Sequence, residues 1–278
     1  MRLSPVFRDV LAEADGPLVG LWTASGSPVA AEIVAGSGAD LLLVDGEHGP
    51  IGVDGLVPIL QAVAPYAVTP IVRLPWNDHV LIKQFLDAGA QNVLVPMVSN
   101  AEDAGAAVRA VRYPGAAGER AGARGIGSAL ARSARWGRVS GYVNNADRYV
   151  SLTVQIETVE GARNAAEIAA VDGVDALFIG PADLAGSMGH PGNPSHPDVV
   201  AAVDGVIDAV SAVGKPVGVN AFNPADADRV VGRGAEFVFV SADVTLMAQG
   251  SDAAVTSFRE RHGIRSSGSN SHGTSDTY

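Results

Sequence analysis

Two carboxylates follow two successive apolar runs of this sequence. Glu157 comes directly after the run Leu152 to Ile156, and Asp183 comes shortly after the run Ala176 to Ile179. A helical pattern separates the two runs, so the order predicts a strand, a helix and a parallel strand, whose carboxyl ends face one mouth. We therefore expect Glu157 and Asp183 to point into one cavity, where paired carboxylates suit a hard divalent cation.

The segment LLLVDGEHGP adds further polar groups to the same mouth. Its apolar part predicts a strand, and Asp45, Glu47 and His48 follow that strand. A carboxylate beside an imidazole orients the ring and stabilises its protonated form, which suits general base catalysis. The alternative is that His48 only caps a turn.

An arginine ends the next predicted strand, in the segment PIVRLPWND. The guanidinium of Arg73 would project inward, with its planar fork free to bind a carboxylate or a keto oxygen. The alternative is a structural salt bridge to Asp45 or Glu47.

Four further residues are candidates for substrate binding. Ala182 and Asp183 open a predicted helix after Gly180 and Pro181, and the free N–H groups there can bind an anion, although Asp183 could be a plain helix cap. Trp22, at the end of the first predicted strand, is either a pocket wall or a core residue. Gln155 lies two residues before Glu157 on the same face, where it either lines the cavity or is a satisfied core amide.

The elements that must position these residues alternate along the chain. Eight apolar runs are each followed by a segment with helical spacing, which predicts an α/β fold, a single-domain (β/α)₈ TIM barrel, over residues 1–264. The polar residues 265–278 predict a disordered tail. The predicted strands are Leu18 to Thr23, Leu41 to Val44, Pro70 to Leu74, Asn92 to Pro96, Leu152 to Ile156, Ala176 to Ile179, Val217 to Asn220 and Phe237 to Val240.

One long segment, Tyr113 to Tyr149, interrupts this alternation between the fourth and fifth strands. It is rich in glycine and arginine. Connections of this length at a barrel mouth are usually lids or oligomer contacts, so we expect one of these roles here.

Composition narrows the class of partner. The formal net charge is −11 and the sequence pI is near 4.9, which argues against nucleic acid and anionic membranes as partners. There are 0 cysteines, which excludes disulfides and thiolate chemistry. No 18-residue apolar run and no N-terminal signal is present, which indicates a cytoplasmic protein.

These motifs occur together in one known family. The blocks GLW, LLLVDGEHGP, PIVRLPWND, DAGAQNVLVPMV, RGIGSALARSARWG, VQIET and FIGPADLAGSMG stand in that order. From about Ser4 to Ile264 the chain resembles the metal-dependent class II pyruvate aldolases of the 4-hydroxy-2-oxoheptanedioate and 2-keto-3-deoxy sugar-acid type. It departs from their pattern at residues 114–127, which are several residues longer than the usual block, and this affects the expected lid geometry and aldehyde preference.

The resemblance implies a role for several residues. Glu157 and Asp183 would be the protein ligands of Mg²⁺, Mn²⁺ or Co²⁺, and Arg73 would contact the keto oxygen of pyruvate. His48 would be the acid/base group, with Asp87 of a neighbouring subunit as its carboxylate partner. Asp45 is a further possible orienting group. The resemblance also implies a homo-oligomer, a hexamer in the family.

The implied reaction is the reversible aldol cleavage of 4-hydroxy-2-oxo acids. Its products are an aldehyde and pyruvate, or a related 2-oxo acid such as hydroxypyruvate, and it proceeds through a metal-stabilised enolate. A Schiff-base route is not expected, because Lys83 and Lys215 do not follow predicted strands. The alternatives are an oxaloacetate decarboxylase that uses the same enolate and a non-catalytic barrel that binds a small acid.

Overall fold

The structure, a computed structural model, is a closed barrel of eight parallel strands and describes residues 3–115 and 122–264. Each strand pairs with its neighbours in sequence order, and β8 closes on β1. The predicted α/β barrel is therefore confirmed. The predicted tail, 265–278, lies outside the described residues.

Each strand begins and ends within two residues of its predicted bounds, because the sequence signal is strong. Strands buried on both faces read as continuous apolar runs, and every residue of Leu41–Asp45 is buried. The strands are β1 (Leu18–Thr23), β2 (Leu41–Asp45), β3 (Thr69–Arg73), β4 (Asn92–Val95), β5 (Ser151–Ile156), β6 (Ala176–Ile179), β7 (Val217–Asn220) and β8 (Phe237–Ala242).

Most helices lie on the outside of the barrel and bury an apolar stripe against the strands, whereas the last helix buries only Asp243. They are α1 (Phe7–Glu13), α2 (Pro28–Ala35), α3 (Val53–Ala62), α4 (His79–Ala88), α5 (Ala101–Val111), α6 (Tyr142–Asn145), α7 (Val159–Arg163), α8 (Ala165–Ala169), α9 (Pro181–Ser187), α10 (Pro197–Ala212), α11 (Pro224–Arg233) and α12 (Asp243–His262). Among the described residues, no helix combines the length and the apolar character needed to cross a membrane.

Large aromatic side chains fill the barrel interior. The rings of Phe178 and Phe239 meet edge to face at 5.5 Å, and a Cβ on Gly20 would collide with Phe239. Helix α1, which the sequence pattern did not predict, plugs the base at the N-terminal ends of the strands. There Phe7 contacts Phe237 at 5.0 Å, and its N–H donates to Asn92 at 2.7 Å. The interior is therefore a packed core, and space for a ligand remains only beyond it.

The described part of the long segment after α5, residues 122–149, lies at the base of the barrel. Part of the longer block expected at residues 114–127 lies outside the described residues, which omit 116–121. Helix α5 follows β4 and therefore runs from the mouth back to the base, and β5 starts at the base. Arg132 in this segment donates to the carbonyl of Ala88 at 3.4 Å, immediately before β4 begins. The expectation that this segment forms a lid over the mouth of its own barrel is therefore wrong, because a connection from a helix to the next strand runs along the opposite end.

Candidate active site

At the carboxyl ends of β2 and β3, Asp45 and Arg73 form a bidentate pair. Arg73 Nε donates to Asp45 Oδ1 and Nη2 donates to Oδ2, both at 2.9 Å. Arg73 Nη1 lies 3.0 Å from Glu47 Oε2, and the guanidinium carbon lies 4.5 Å from the centroid of the Trp22 ring. Carboxylates and an aromatic face thus hold the guanidinium plane in one orientation, while protons on Nη1 and Nη2 remain for a ligand.

The turn after β2 is built on Asp45. Its Oδ1 accepts the N–H groups of Glu47 at 3.1 Å and of His48 at 3.2 Å. Gly46 is required there, because a Cβ would lie 2.6 Å from the carbonyl oxygen of Arg73. Burial raises the pKa of Asp45, but the hydrogen bonds and charge of Arg73 and the two N–H groups outweigh it, and the pKa lies below its usual value. Asp45 is therefore ionised, and it positions both Arg73 and the turn that carries His48.

Glu157 is a buried carboxylate at the end of β5. It is 2% exposed, and it accepts the N–H of Met97 at 2.6 Å and the amide of Gln155 at 2.6 Å. Burial and, to a smaller extent, the charges of Glu47 and Asp183 raise its pKa to about 8, although the Met97 N–H and Arg73 partly oppose the shift. A nearby cation would remove this penalty, because it favours the charged form of the acid.

Two further carboxylates lie near Glu157 at this mouth. Asp183 acts electrostatically on both Glu47 and Glu157, so the three carboxylates lie close together. Burial raises the pKa of Glu47 above its usual value even though Arg73 and His48 oppose the shift. Gln155 Oε1 is buried and accepts no hydrogen bond from any described residue. Buried oxygens that lack donors fit a hard cation such as Mg²⁺ or Mn²⁺.

Glycine 180 makes the close approach of β5 and β6 possible at this point. A Cβ there would lie 2.7 Å from Gln155 Nε2 and 3.1 Å from Glu157 Oε2. The following helix begins at Pro181, and Ala182 and Asp183 are in its first turn. Among the described residues, none accepts a hydrogen bond from the N–H groups of Ala182 and Asp183. The predicted anion contact at these two residues remains a prediction.

The imidazole of His48 is exposed at the rim of the mouth. Its ring makes no hydrogen bond to any residue of the described ranges, although its charge acts on Glu47. Trp22 is 7% exposed, and its Nε1 donates to Asn220 Oδ1 at 2.9 Å. Trp22 therefore packs in the core and its ring also lies against Arg73, while its role as a pocket wall stays a prediction.

Asp87 does not belong to this mouth. It lies near the base end of α4, where Arg124 Nη2 donates to its Oδ1 at 2.9 Å. His48 lies at the opposite end of the same barrel. Asp87 can therefore meet a His48 only if that residue belongs to another subunit, which is the arrangement that the resemblance implies and that a single chain leaves untested.

The sequence analysis gave no catalytic role to Glu47 and missed Asn220. Glu47 was placed at the mouth without a function, and the structure shows it between Arg73 and Glu157. Asn220 ends β7 and orients Trp22. Its signal in the sequence was its position, since a polar residue at a strand end of a barrel faces the mouth.

A cluster of histidines lies away from this site. His190 Nε2 and His196 Nδ1 lie 3.6 and 3.7 Å from a carboxylate oxygen of Asp198, and the two rings stack at 3.6 Å. However, His196 Nδ1 already accepts the N–H of Asp198 at 3.2 Å and caps α10. The lone pair that a metal ion would need is used in this cap, so the cluster stabilises the start of the helix.

The comparison with protein families identifies the class of enzyme. Residues 18–250 match the model of the HpcH/HpaI aldolase/citrate lyase family. The chain belongs to this family. A 4-hydroxy-2-oxo-heptane-1,7-dioate aldolase of Klebsiella pneumoniae is 49% identical over 256 residues, which cover 92% of this chain and 94% of that protein. The predicted family and the predicted carbon–carbon lyase, an aldolase, are confirmed.

Solved structures support the same conclusion about the fold. A HpcH/HpaI family protein from Burkholderia cenocepacia is 37% identical, with a TM-score of 0.85, and the match covers 91% of this chain and 98% of that one. A HpcH/HpaI aldolase from Desulfitobacterium hafniense is 27% identical, with a TM-score of 0.83, and the match covers 95% and 100% of the two chains. The barrel is therefore shared with other members of the family.

Proposed function

We propose that the mouth of this barrel cleaves 4-hydroxy-2-oxo acids into an aldehyde and pyruvate, or a related 2-oxo acid such as hydroxypyruvate. The observation that carries the proposal is the grouping of Glu47, Glu157 and Asp183 beside the fixed guanidinium of Arg73. Aldol cleavage generates negative charge on the 2-oxo oxygen, and a site with a cation among carboxylates and one oriented arginine is suited to receive that charge.

The residues fit a divalent cation, which Glu157 and Asp183 would hold. Both offer carboxylate oxygens, and Gln155 offers an unsatisfied amide oxygen. Burial raises the pKa of Glu157, and a bound cation would oppose that shift by favouring the ionised carboxylate. Mg²⁺, Mn²⁺ or Co²⁺ accepts such ligands. A bound cation would act as a Lewis acid that stabilises the negative charge of the enolate.

The side chains of the mouth then have separate roles. Arg73, held by Asp45 and Trp22, donates a hydrogen bond from Nη1 or Nη2 to the 2-oxo oxygen. His48 removes the proton of the 4-hydroxyl group. The C3–C4 bond then breaks, its electron pair forms the pyruvate enolate, and C4 becomes the aldehyde carbonyl. Protonation of C3 completes pyruvate.

Two more features of the site support this assignment. The free N–H groups of Ala182 and Asp183 would bind the carboxylate of the 2-oxo acid, and the ring of Trp22 would form the floor of its pocket. A Schiff base has no suitable lysine, since Lys83 lies within α4 and Lys215 precedes β7 at the base. The chain therefore relies on electrostatic stabilisation of the enolate.

The assembly completes the proposed site. Asp87 would act as the carboxylate partner of His48 from a neighbouring subunit, in a homo-oligomer. The base that carries Asp87 also carries exposed apolar side chains, among them Leu130 at 88% and Trp136 at 53% exposure. Apolar surface of this kind at the base is suited to burial against another copy.

The proposal is tested by product release from 4-hydroxy-2-oxoheptanedioate after chelation and metal addition. We expect turnover to disappear with chelator and to return with Mg²⁺, Mn²⁺ or Co²⁺, and we expect Glu157→Gln to remain inactive. Glu160→Gln, an exposed glutamate three residues along the chain, is the matched control and should keep full activity. Full turnover of Glu157→Gln at micromolar metal would contradict the proposal.

Oxaloacetate decarboxylation is the alternative reaction, because it passes through the same enolate. It needs no group to deprotonate a 4-hydroxyl, so His48→Ala should keep this activity while aldol cleavage falls. Equal losses in both reactions would show that His48 has another role. A barrel that only binds small acids would show neither reaction.

A further inference from the structure

A second cavity, of about 300 Å³, lies at the base of the barrel, at the end opposite the mouth. It is bounded by the end of α3, by the start of β3 and by the segment that follows Gly127. Apolar side chains such as Leu60, Val63 and Val72 form one wall, and the guanidinium groups of Arg132 and Arg135 line another. The volume is sufficient for a small organic molecule.

The two arginines carry positive charge that no acidic group among the described residues neutralises. No aspartate or glutamate of the described ranges lines the cavity, and no described carboxylate forms an ion pair with either arginine. Their hydrogen bonds go to backbone carbonyls, from Arg132 to Ala88 at 3.4 Å and from Arg135 to Arg132 at 3.5 Å. Burial lowers the pKa of Arg132, and the like charge of Arg135 lowers it further.

The backbone is shaped to hold this pair. Arg135 and Trp136 have φ angles of 51° and 55°, in the left-handed region that residues other than glycine seldom adopt. Gly89 has a φ of 109°, and a Cβ there would collide with the guanidinium of Arg132. Such conformations cost free energy and persist where the surrounding structure enforces them, often at binding sites. These left-handed residues therefore fix the positions of Arg132 and Arg135 beside the cavity.

We propose that Arg132 and Arg135 form a binding site for a small organic carboxylate. A carboxylate accepts two hydrogen bonds from a guanidinium fork and neutralises the pair, and the apolar wall favours an aliphatic chain over an inorganic anion. The formal net charge of the protein is −11, so its field repels anions in general. An anion that binds here is held locally by the two guanidinium groups.

Calorimetric titration of the complete Mg²⁺-loaded protein with succinate tests this proposal. The titration is made without pyruvate, which is itself a small carboxylate, and it is repeated with Glu157→Gln, in which the mouth is impaired and the affinity should be unchanged. We expect one succinate per chain, and we expect inorganic phosphate, which has no apolar part, to bind more weakly. Failure of succinate to bind, loss of binding in Glu157→Gln, or tighter binding of phosphate would overturn the proposal.

Variants assign the binding to the arginine pair. Arg135→Gln and Arg132→Gln should each weaken succinate binding about 10- to 100-fold, the usual effect of losing a charge-assisted hydrogen bond. Arg148→Gln removes an exposed arginine of the same segment and should leave binding unchanged. If Arg132→Gln does not fold, Arg135→Gln decides alone. Unchanged affinity of Arg135→Gln for succinate would overturn the proposal. A second outcome would also overturn it: the wild type does not bind succinate, and the sedimentation coefficient of Arg135→Gln differs from that of the wild type. In that case the arginine pair binds a carboxylate of another copy of the chain.

Discussion

Arg73 and Asp45 face each other at the ends of adjacent strands and share two parallel hydrogen bonds of 2.9 Å. The pairing of β2 with β3 places Asp45 directly beside Arg73 in register, so the backbone itself aligns the two side chains. Trp22 covers one face of the guanidinium at 4.5 Å. The pair is therefore a structural ion pair that also fixes the guanidinium in one orientation, which is what the proposed contact of Arg73 with an oxyanion requires.

Replacement of Arg73 by lysine should separate these functions. Lysine keeps the positive charge but loses the planar fork, so we expect kcat/KM for aldol cleavage to fall roughly 10- to 100-fold. Steady-state kinetics measures the change. Arg233→Lys is the control, because Arg233 forms an exposed ion pair with Asp208 far from the mouth, and it should leave kcat/KM unaltered. Unaltered kinetics of Arg73→Lys would remove Arg73 from the site.

The raised pKa of Glu157 makes the stability of the metal-free protein depend on pH. An ordinary glutamate has a pKa of 4.5, and burial raises that of Glu157 to about 8. At pH values between these two pKa values, Glu157 keeps its proton in the folded protein and loses it in the unfolded chain. The free energy of unfolding therefore falls as pH rises. The slope that Glu157 contributes is at most about 1.4 kcal/mol per pH unit.

Glu157→Gln should remove this contribution. Urea unfolding with chelator at pH 5, 6, 7 and 8 should show a larger fall of stability for the wild type than for Glu157→Gln, because glutamine has no proton to lose. The exposed Glu160→Gln should follow the wild type. Parallel curves for the wild type and Glu157→Gln would mean that Glu157 is already ionised below pH 5.

Metal affinity should depend on the same carboxyl group. A cation binds the ionised form, so the apparent affinity for Mn²⁺ should rise with pH up to about 8, by as much as tenfold per unit. Titration of the apoprotein with Mn²⁺ by electron paramagnetic resonance measures this dependence. A pH-independent affinity between 6 and 8 would contradict the assignment of Glu157 as a ligand.

His48→Ala tests the acid/base assignment. Loss of a general base typically costs 10²- to 10⁴-fold, so we expect roughly that fall in aldol cleavage. The exposed ring makes no hydrogen bond to the described residues, so the melting temperature and the Mn²⁺ affinity should stay close to those of the wild type. His79→Ala, at the start of α4, is the control for loss of an imidazole. A parallel loss of metal affinity would indicate that His48 is a ligand.

Asp87 and His48 lie at opposite ends of one barrel, so a site that uses both residues can be tested by complementation between subunits. Asp87→Ala and His48→Ala should each be nearly inactive, but subunits mixed by denaturation and refolding should regain a fraction of the wild-type rate. That fraction comes from interfaces at which an intact Asp87 meets an intact His48. An active monomer in light scattering, or mixtures without any gain, would exclude a shared site.

The sequence predicted most of the barrel because its strands are buried on both faces. Val93 and Leu152, for example, are buried and lie in short apolar runs, which are typical of parallel strands covered on both faces. Helix α1 was missed because it spans 7 residues, too few for a clear period. The expectation of a lid over the mouth of the same barrel was wrong because the length of the segment was considered without its position, and a connection from α5 to β5 lies at the base. The other expected role, an oligomer contact, stays a prediction.

The site was predicted in part for a similar reason. Strand ends of a barrel converge, so Asp45, Arg73 and Glu157 could be assigned to one mouth from their positions alone. The bond partners could not be assigned, because they depend on side-chain geometry. The contact of Glu47 with Arg73 arises from the tight turn at Gly46, and the pairing of Asp87 with Arg124 depends on a fold of the base that has no period in the sequence.

The exchange of deuterium into the methyl group of pyruvate tests the central claim most directly. Enolate formation from pyruvate is half of the proposed reaction, and it needs no aldehyde. With the metal-loaded protein in D₂O, proton NMR should show the methyl resonance of pyruvate decreasing over time. The loss should stop with chelator, return with Mg²⁺, Mn²⁺ or Co²⁺, survive borohydride, and be absent in Glu157→Gln but present in Glu160→Gln. Exchange that continues without metal, or inactivation by borohydride in the presence of pyruvate, would contradict the roles given to Glu157 and Asp183.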